Sequence, residues 1–271
     1  LKGVNLQFDP ANDTYVIIGN NGTGKTNILE ALSSVFSVLL AHSQDFLFSF
    51  VLRYNIGDVE YWVRHKIDTK TTEYKKNNEV VNEAGMTYPN RIVCNYSGED
   101  TRMWNNYYKK PNEDYMNSVR TAAAPDVLSM VYIDKTMWKY VLLCMLTTRN
   151  MNVAFDRFLK EKLHIASDGI NTVEMKLDEA KLRRWRAENQ ITLFLNQLRH
   201  RLGSNEVLAS SNVEDFNPNE DDARELFNKF IGASQVIDSL NIYYNQGIES
   251  AFLSEGEKKM MVILFILEAI A

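Results

Sequence analysis

Near the start of the chain, Val4, Leu6 and Phe8 alternate with Asn5 and Gln7, the period of a half-buried strand. Asp9-Pro10-Ala11-Asn12-Asp13 has turn composition. Tyr15-Val16-Ile17-Ile18 is apolar and β-branched, as in a buried strand. Asn27-Ile28-Leu29-Glu30-Ala31-Leu32 then opens a helix that continues through Val35, Phe36 and Leu39 to about Ala41. Phe46–Tyr54 and Val59–Ile67 read as strands joined around Asn55-Ile56-Gly57-Asp58, a hairpin signal. Thr69–Glu83 is polar and charged and is expected to be a flexible excursion. Arg91–Tyr96 is a further short strand, ending at Ser97-Gly98-Glu99-Asp100.

The pattern then turns helical. Trp138–Leu146, Val153–Leu163, Ala180–Leu202 and Ala223–Tyr244 read as helices, and Ile191, Phe194, Leu195 and Leu198 form an apolar stripe at three- and four-residue spacing. Such a stripe is ordinary core packing. Asn205–Asp222, rich in Asn, Ser and acids, reads as a loop, and Met260–Ala271 as an almost unbroken apolar helix.

Between the apolar run at Tyr15 and the helix at Asn27 stands Gly19-Asn20-Asn21-Gly22-Thr23-Gly24-Lys25-Thr26. This fits G-x-x-x-x-G-K-[ST], and strand, glycine loop, helix is the context that motif requires. Glycines let the backbone take positive φ and approach a ligand closely. Successive N–H groups then cradle phosphate oxygens at the positive end of a helix. In that arrangement Lys25 reaches the β- and γ-phosphates and Thr26 offers its hydroxyl to Mg2+.

The second informative stretch is Phe252-Leu253-Ser254-Glu255-Gly256-Glu257-Lys258-Lys259. Ser254 and Glu257 form S-x-x-E, a capping box that starts a helix. The same geometry presents N–H groups, a hydroxyl and a glycine, again suited to a phosphate.

The formal net charge of −5 argues against a uniformly basic nucleic-acid binder, though not against a local basic patch. Cys94 and Cys144 are far apart, without C-x-x-C, which excludes a zinc ribbon and a disulfide framework. The histidines at 42, 65, 164 and 200 have no metal-ligand spacing. No apolar run reaches the roughly 20 residues that span a bilayer, so no membrane association is expected. No signal peptide is evident, and a cytoplasmic location is the default expectation.

Leu253-Ser254-Glu255-Gly256-Glu257 resembles the signature motif of ABC-type ATPases. Gly19–Asn27, followed by Ile28-Leu29-Glu30-Ala31, is similar to the phosphate loop of the SMC and RecF branch. The resemblance covers only the two ends of the chain. The middle carries no long heptad pattern and instead resembles the lid region of compact RecF-like and OLD-like ATPases. Leu253–Ala271 and Asn95-Tyr96-Ser97-Gly98 look most like Septu-type (PtuA) defence ATPases, some of which accompany retrons.

The resemblance implies an α/β fold: a P-loop ABC-type head with a mixed β-sheet and an inserted helical lid. Residues 1–133 would carry the phosphate loop, 134–246 the helical insert, and 247–271 the signature and the helix returning to the head. ATP and Mg2+ are the implied cofactors, with Gly19, Asn20, Asn21, Gly22, Thr23, Gly24, Lys25, Thr26 and Asn27 as the binding loop and Thr26 as the metal ligand. Two heads would close around nucleotide, with Ser254, Gly256 and Glu257 of one meeting the γ-phosphate held by Lys25 of the other. Asn95, Tyr96 or Ser97 would stand in the place of the family's glutamine-bearing loop, although no glutamine matches there. The family's aspartate–glutamate pair and switch histidine lie beyond the signature helix, so they are expected after Ala271 in a longer protein. Hydrolysis by the intact chain is the corresponding expectation.

An associated HNH-type nuclease is the expected partner, in antiphage defence, with DNA or retron nucleic acid as a further one. The rival readings are a RecF-like repair ATPase that clamps DNA and a non-hydrolysing, nucleotide-dependent scaffold. Lys181-Leu182-Arg183-Arg184-Trp185-Arg186 sets four cations around a tryptophan. It reads as a solvated helix face or a protein contact, with a nucleic-acid backbone contact, Trp185 stacking on a base, as the alternative. Lys75-Lys76 and Lys109-Lys110 read as surface pairs. No nucleophilic triad or nuclease motif stands out.

Overall fold

The computed structural model describes residues 3–8, 15, 17, 18, 20, 23–96, 101–134, 136–166, 170–203, 207–245 and 247–270. The chain divides into two compact units. The first comprises residues 1–92, 99–111 and 129–131, and the second 93–98, 112–128 and 132–271.

In the first unit, helix α1 (Lys25–Leu40) buries Ser33, Ser34, Val35 and Leu39. Next comes an antiparallel meander of β1 (Phe50–Ile56), β2 (Val59–Lys66), β3 (Thr71–Lys76) and β4 (Glu79–Val81). The β1–β2 turn is as expected. Ile56 pairs with Val59, which leaves Gly57 and Asp58 as a two-residue loop with Gly57 at φ 58°. The excursion expected over Thr69–Glu83 is instead β3, β4 and a short 3-10 turn at Glu83–Gly85. Asn77 and Asn78 sit at φ 47° and 65° between paired Lys76 and Glu79. Both central residues of a type I′ hairpin need positive φ, and asparagine tolerates it. Tyr74 is the buried anchor of this added ribbon, packed with Val35, Leu39, Phe46, Tyr61, Val63 and Met86.

Among the described residues, neither of the two expected N-terminal strands is found. Residues 4–8, 15, 17 and 18 have no regular structure, and Ile18 is 89% exposed. No described strand pairs with these residues, and a strand needs a neighbour to form. Val16, the turn at 9–13 and Gly19, Asn21 and Gly22 of the loop lie outside the described residues, as do Ser97 and Gly98.

Strand β5 (Ile92–Asn95) pairs with β6 (Met130–Ile133). Between them the chain makes a π-helical turn at Trp104–Tyr108 and helix α2 (Lys109–Thr121). In the second unit α3 (Trp138–Thr148) is buried along nearly its full length. There follow α4 (Val153–Glu161), β7 (Ile170–Leu177), the single turn α5 (Glu179–Leu182), α6 (Gln190–Leu202), β8 (Val207–Ser210), α7 (Ala223–Ala233), β9 (Ile237–Tyr244), β10 (Ile248–Glu249) and α8 (Glu255–Phe265). A π-helical turn over Ile266–Ile270 continues α8.

Residues 134–246 are therefore mixed rather than helical. The expected helix Ala223–Tyr244 stops at Ala233 and re-forms as β9, whose buried positions include Ile237, Leu240, Ile242 and Tyr244. β7 was not anticipated, and β8 lies in the stretch read as a loop. These strands make an antiparallel sheet in the order β10-β9-β7-β8. The expected helix Ala180–Leu202 is broken between Leu182 and Gln190. Asn189 causes the break. Its side chain caps α6 and also donates to the carbonyls of Val119 at 2.7 Å and Ala122 at 3.0 Å. The stripe Ile191, Phe194, Leu195 and Leu198 survives within α6 and is buried. Phe265 of α8 packs against Phe227 and Phe155 with ring centroids 5.0 and 5.8 Å apart, tying α8 to α7 and α4.

Candidate functional site

Gly24 is the N-cap of α1, left-handed at φ 86° and ψ 15°. Only glycine enters that region without cost, so the second glycine of G-x-x-x-x-G-K-[ST] is required by backbone geometry. Lys25 and Thr26 are the first residues of the helix and are half-buried. Three donors converge on the Asn20 carbonyl. The Lys25 Nζ and Thr23 Oγ1 each stand 2.8 Å from it, and the Thr23 N–H 3.3 Å. The Lys25 ammonium is thus folded back over the loop, at the positive end of α1. Asn27 is exposed on the first turn. Chemically, the described part of this loop offers an ammonium, a hydroxyl and helix-start N–H groups to an anion.

In the second unit, Ser250–Phe252 forms a 3-10 turn, Leu253 is buried, and Ser254 caps α8. The capping box is present as read from the sequence. The Ser254 N–H donates to Glu257 Oε2 at 2.7 Å, and the Glu257 N–H donates to Ser254 Oγ at 3.3 Å. Hydrogen bonds from the Ser254 side chain and backbone hold the Glu257 carboxyl below its ordinary range, and His164 adds to the effect. Burial, with the Glu257 charge, pushes the Tyr244 phenol up. The first i to i−4 bond of α8 runs from Lys258 N to the Ser254 carbonyl at 3.0 Å, so the N–H groups of Glu255 and Gly256 precede the helical ladder. A Cβ placed on Gly256 would meet nothing nearer than Ser254 Oγ at 3.9 Å. Nothing inside the protein demands a glycine there. Gly256 heads a half-exposed stripe of Met260, Ile263 and Leu267, and Phe252 beside it is 81% exposed.

The structure adds a cleft that sequence reasoning assigned only in part. Asn95, Tyr96, Asp134 and Trp138 line it together with Glu255, Lys258, Lys259 and Val262 of α8. Lys258 bridges its sides, 3.0 Å from Glu255 and 4.9 Å from the centre of the Trp138 ring. The Asn95 side-chain amide donates to the Ile133 carbonyl at 3.0 Å, which ties the end of β5 to β6. The segment expected to replace the glutamine loop thus shares a cleft with the first turn of α8. Sequence pattern marks Trp138 only as the start of a helix. A separate cavity of about 300 Å3 is lined by Asn152, Asp222, Arg224 and Glu268 among others. Among the described residues no cluster of His, Cys, Asp or Glu could hold a metal ion, and no helix is long and apolar enough to cross a membrane.

Residues 15–118 match the family described as "AAA domain, putative AbiEii toxin, Type IV TA system". The matched segment contains the phosphate loop but neither Ser254 nor Gly256. No curated protein matches the chain, and no solved structure does. The matched segment, with the helix start at Gly24, Lys25 and Thr26 inside it, is similar to a P-loop nucleotide-binding domain of that family.

Proposed function

We propose that the chain is an ATP-binding head that closes on a second copy across nucleotide and thereby controls an associated nuclease in antiphage defence. The observation that carries the nucleotide reading is Gly24. It is left-handed, caps α1, and sets Lys25 and Thr26 on the first turn inside the segment that matches the AAA family. Gly19–Thr26 would hold the phosphates, with Lys25 on the β- and γ-oxygens, Thr26 on Mg2+, and Asn27 at the loop's exit. Ser254, Gly256 and Glu257 would approach the γ-phosphate of the partner head. The exposed Phe252 and the stripe from Gly256 to Leu267 support a surface that is covered on closure. Neither the Lys25 ammonium nor the Ser254 hydroxyl, which is engaged with Glu257, can act as the general base for water attack. In this reading the loop serves binding and the Ser254 stretch serves closure. Hydrolysis requires a carboxylate in addition to them.

Lys25→Ala tests the loop and should abolish nucleotide binding in calorimetry. Unchanged affinity would remove the assignment. Ser254→Arg should leave binding intact and block ATP-dependent dimerisation, and a dimer that survives it would refute closure through Ser254. Native mass spectrometry of the protein purified with its operon neighbours tests the defence reading, which expects a nuclease subunit of HNH type. A second reading, a repair ATPase that clamps DNA, is favoured by the exposed arginines between α5 and α6. ATP-dependent DNA binding with no nuclease subunit would select it.

A further inference from the structure

The break between α5 and α6 organises a cationic surface. Arg183, Arg184 and Arg186 are exposed, and their guanidinium groups have no acidic partner among the described residues. The neighbouring charges are already committed. Lys181 pairs with Asp178 at 3.1 Å, and Arg199 with Glu179. Glu188 is the exposed acid left in the segment. The segment is also held in place. The Arg186 N–H donates to the Arg120 carbonyl at 2.9 Å, and three residues later Asn189 binds the Val119 and Ala122 carbonyls. These bonds stop the run from continuing as helix and seat it on the end of α2, where Arg120 is itself exposed. Trp185 is half-buried.

Three arginines on a pinned, non-helical segment, beside Arg120 at the end of α2, form a local positive site on a chain with net charge −5. Arginines that merely decorate a surface are usually interleaved with acids. These are adjacent, and the nearby acids are mostly spent elsewhere. Guanidinium groups match phosphodiester oxygens in a planar, two-pronged geometry.

We propose that Arg120, Arg183, Arg184 and Arg186 form a binding surface for the sugar-phosphate backbone of nucleic acid, recognised by charge and not by base sequence. The surface does not depend on the nucleotide reading, because it lies wholly within the second unit.

The test measures binding of a labelled duplex of roughly 30 base pairs, and of a single strand of the same length, by fluorescence anisotropy from about 50 to about 300 mM KCl. The wild type should bind at least one of them with steep salt dependence. Arg183→Ala/Arg184→Ala/Arg186→Ala should weaken that binding at least tenfold and reduce the slope of log affinity against log salt by about 2 to 3, near 0.9 per lost phosphate contact on a duplex. The corresponding triple lysine variant should retain most of the affinity, which separates lost charge from lost folding. Lys75→Ala/Lys76→Ala should change nothing. The same measurements in the Lys25→Ala background keep a failure here distinct from a failure of the ATP reading. Wild-type protein that binds neither probe, a triple alanine variant with unchanged affinity and slope, or equal displacement by polyglutamate would overturn the proposal. The last outcome would point to an acidic protein partner.

Discussion

Ser254 and Glu257 are joined in both directions, N–H to carboxylate at 2.7 Å and N–H to hydroxyl at 3.3 Å. The signature-like stretch is therefore a helix cap before it is anything else. Each polar side chain accepts from the other residue's backbone N–H, which leaves Gly256 as the residue of the motif whose side-chain position has no internal role.

Because the folded state depresses the Glu257 pKa, this bond stabilises the protein above the ordinary glutamate value of 4.5 and fades as pH falls through the lower folded value. Glu257→Gln should be less stable than wild type near neutrality, and the gap should close in acid. Urea unfolding at a series of pH values checks this. A gap that widens toward low pH would contradict it. Ser254→Ala should cost about 1 kcal/mol, the usual worth of such a cap.

Gly256→Ala separates structure from function. The site is helical and open, so alanine should hold or raise the melting temperature, gaining up to about 1 kcal/mol of helix propensity. ATP-dependent dimerisation, followed by size-exclusion chromatography with and without nucleotide, should nevertheless fall. A variant that is more stable and dimerises normally would show that no ligand approaches Gly256.

Asn189 is 3% exposed and serves two elements at once. Asn189→Ala removes the α6 cap and strips the Val119 and Ala122 carbonyls of their donor. A loss of roughly 2 to 3 kcal/mol is expected from the cap and the orphaned buried groups together. Asn189→Asp keeps the cap but turns an oxygen toward those carbonyls, so it should remain destabilised. Chemical denaturation midpoints decide. Wild-type stability in the aspartate variant would mean that the carbonyl bonds carry no weight.

Gly232 of α7 sits against α6. A Cβ there would lie 2.7 Å from Ile191 Cδ1 and 3.0 Å from the Tyr115 hydroxyl. Gly232→Ala should cost about 1 to 3 kcal/mol through overpacking. Ile191→Val removes the nearest of these atoms, so the double variant should recover part of the loss. Additive losses in the double-mutant cycle would show that the two residues do not press on each other.

The sheets show where reading by pattern stopped. The Gly57-Asp58 turn was legible because glycine at positive φ is a local requirement. The ribbon over Thr71–Val81 was missed because its residues are mostly polar. Its only strong anchor, Tyr74, is buried by residues distant in sequence, such as Leu39 and Met86. Residues 4–8, 15, 17 and 18 depart in the opposite direction. Their composition suits strands, yet strand formation depends on a neighbour and not on composition alone.

The same division runs through the candidate site. Sequence alone determined the left-handed Gly24, the first turn carrying Lys25 and Thr26, the Ser254–Glu257 cap and the buried stripe of α6. Each depends on bonds and spacings that span a few residues. Tertiary structure decided that Asn95 and Tyr96 share a cleft with α8, that β9 interrupts an apparent helix, and that Arg183–Arg186 leaves helical geometry. Those outcomes rest on partners such as Trp138, β7 and the carbonyls at the end of α2. Pairing between residues far apart in the chain is set by the packing of the folded protein, and no local pattern encodes it.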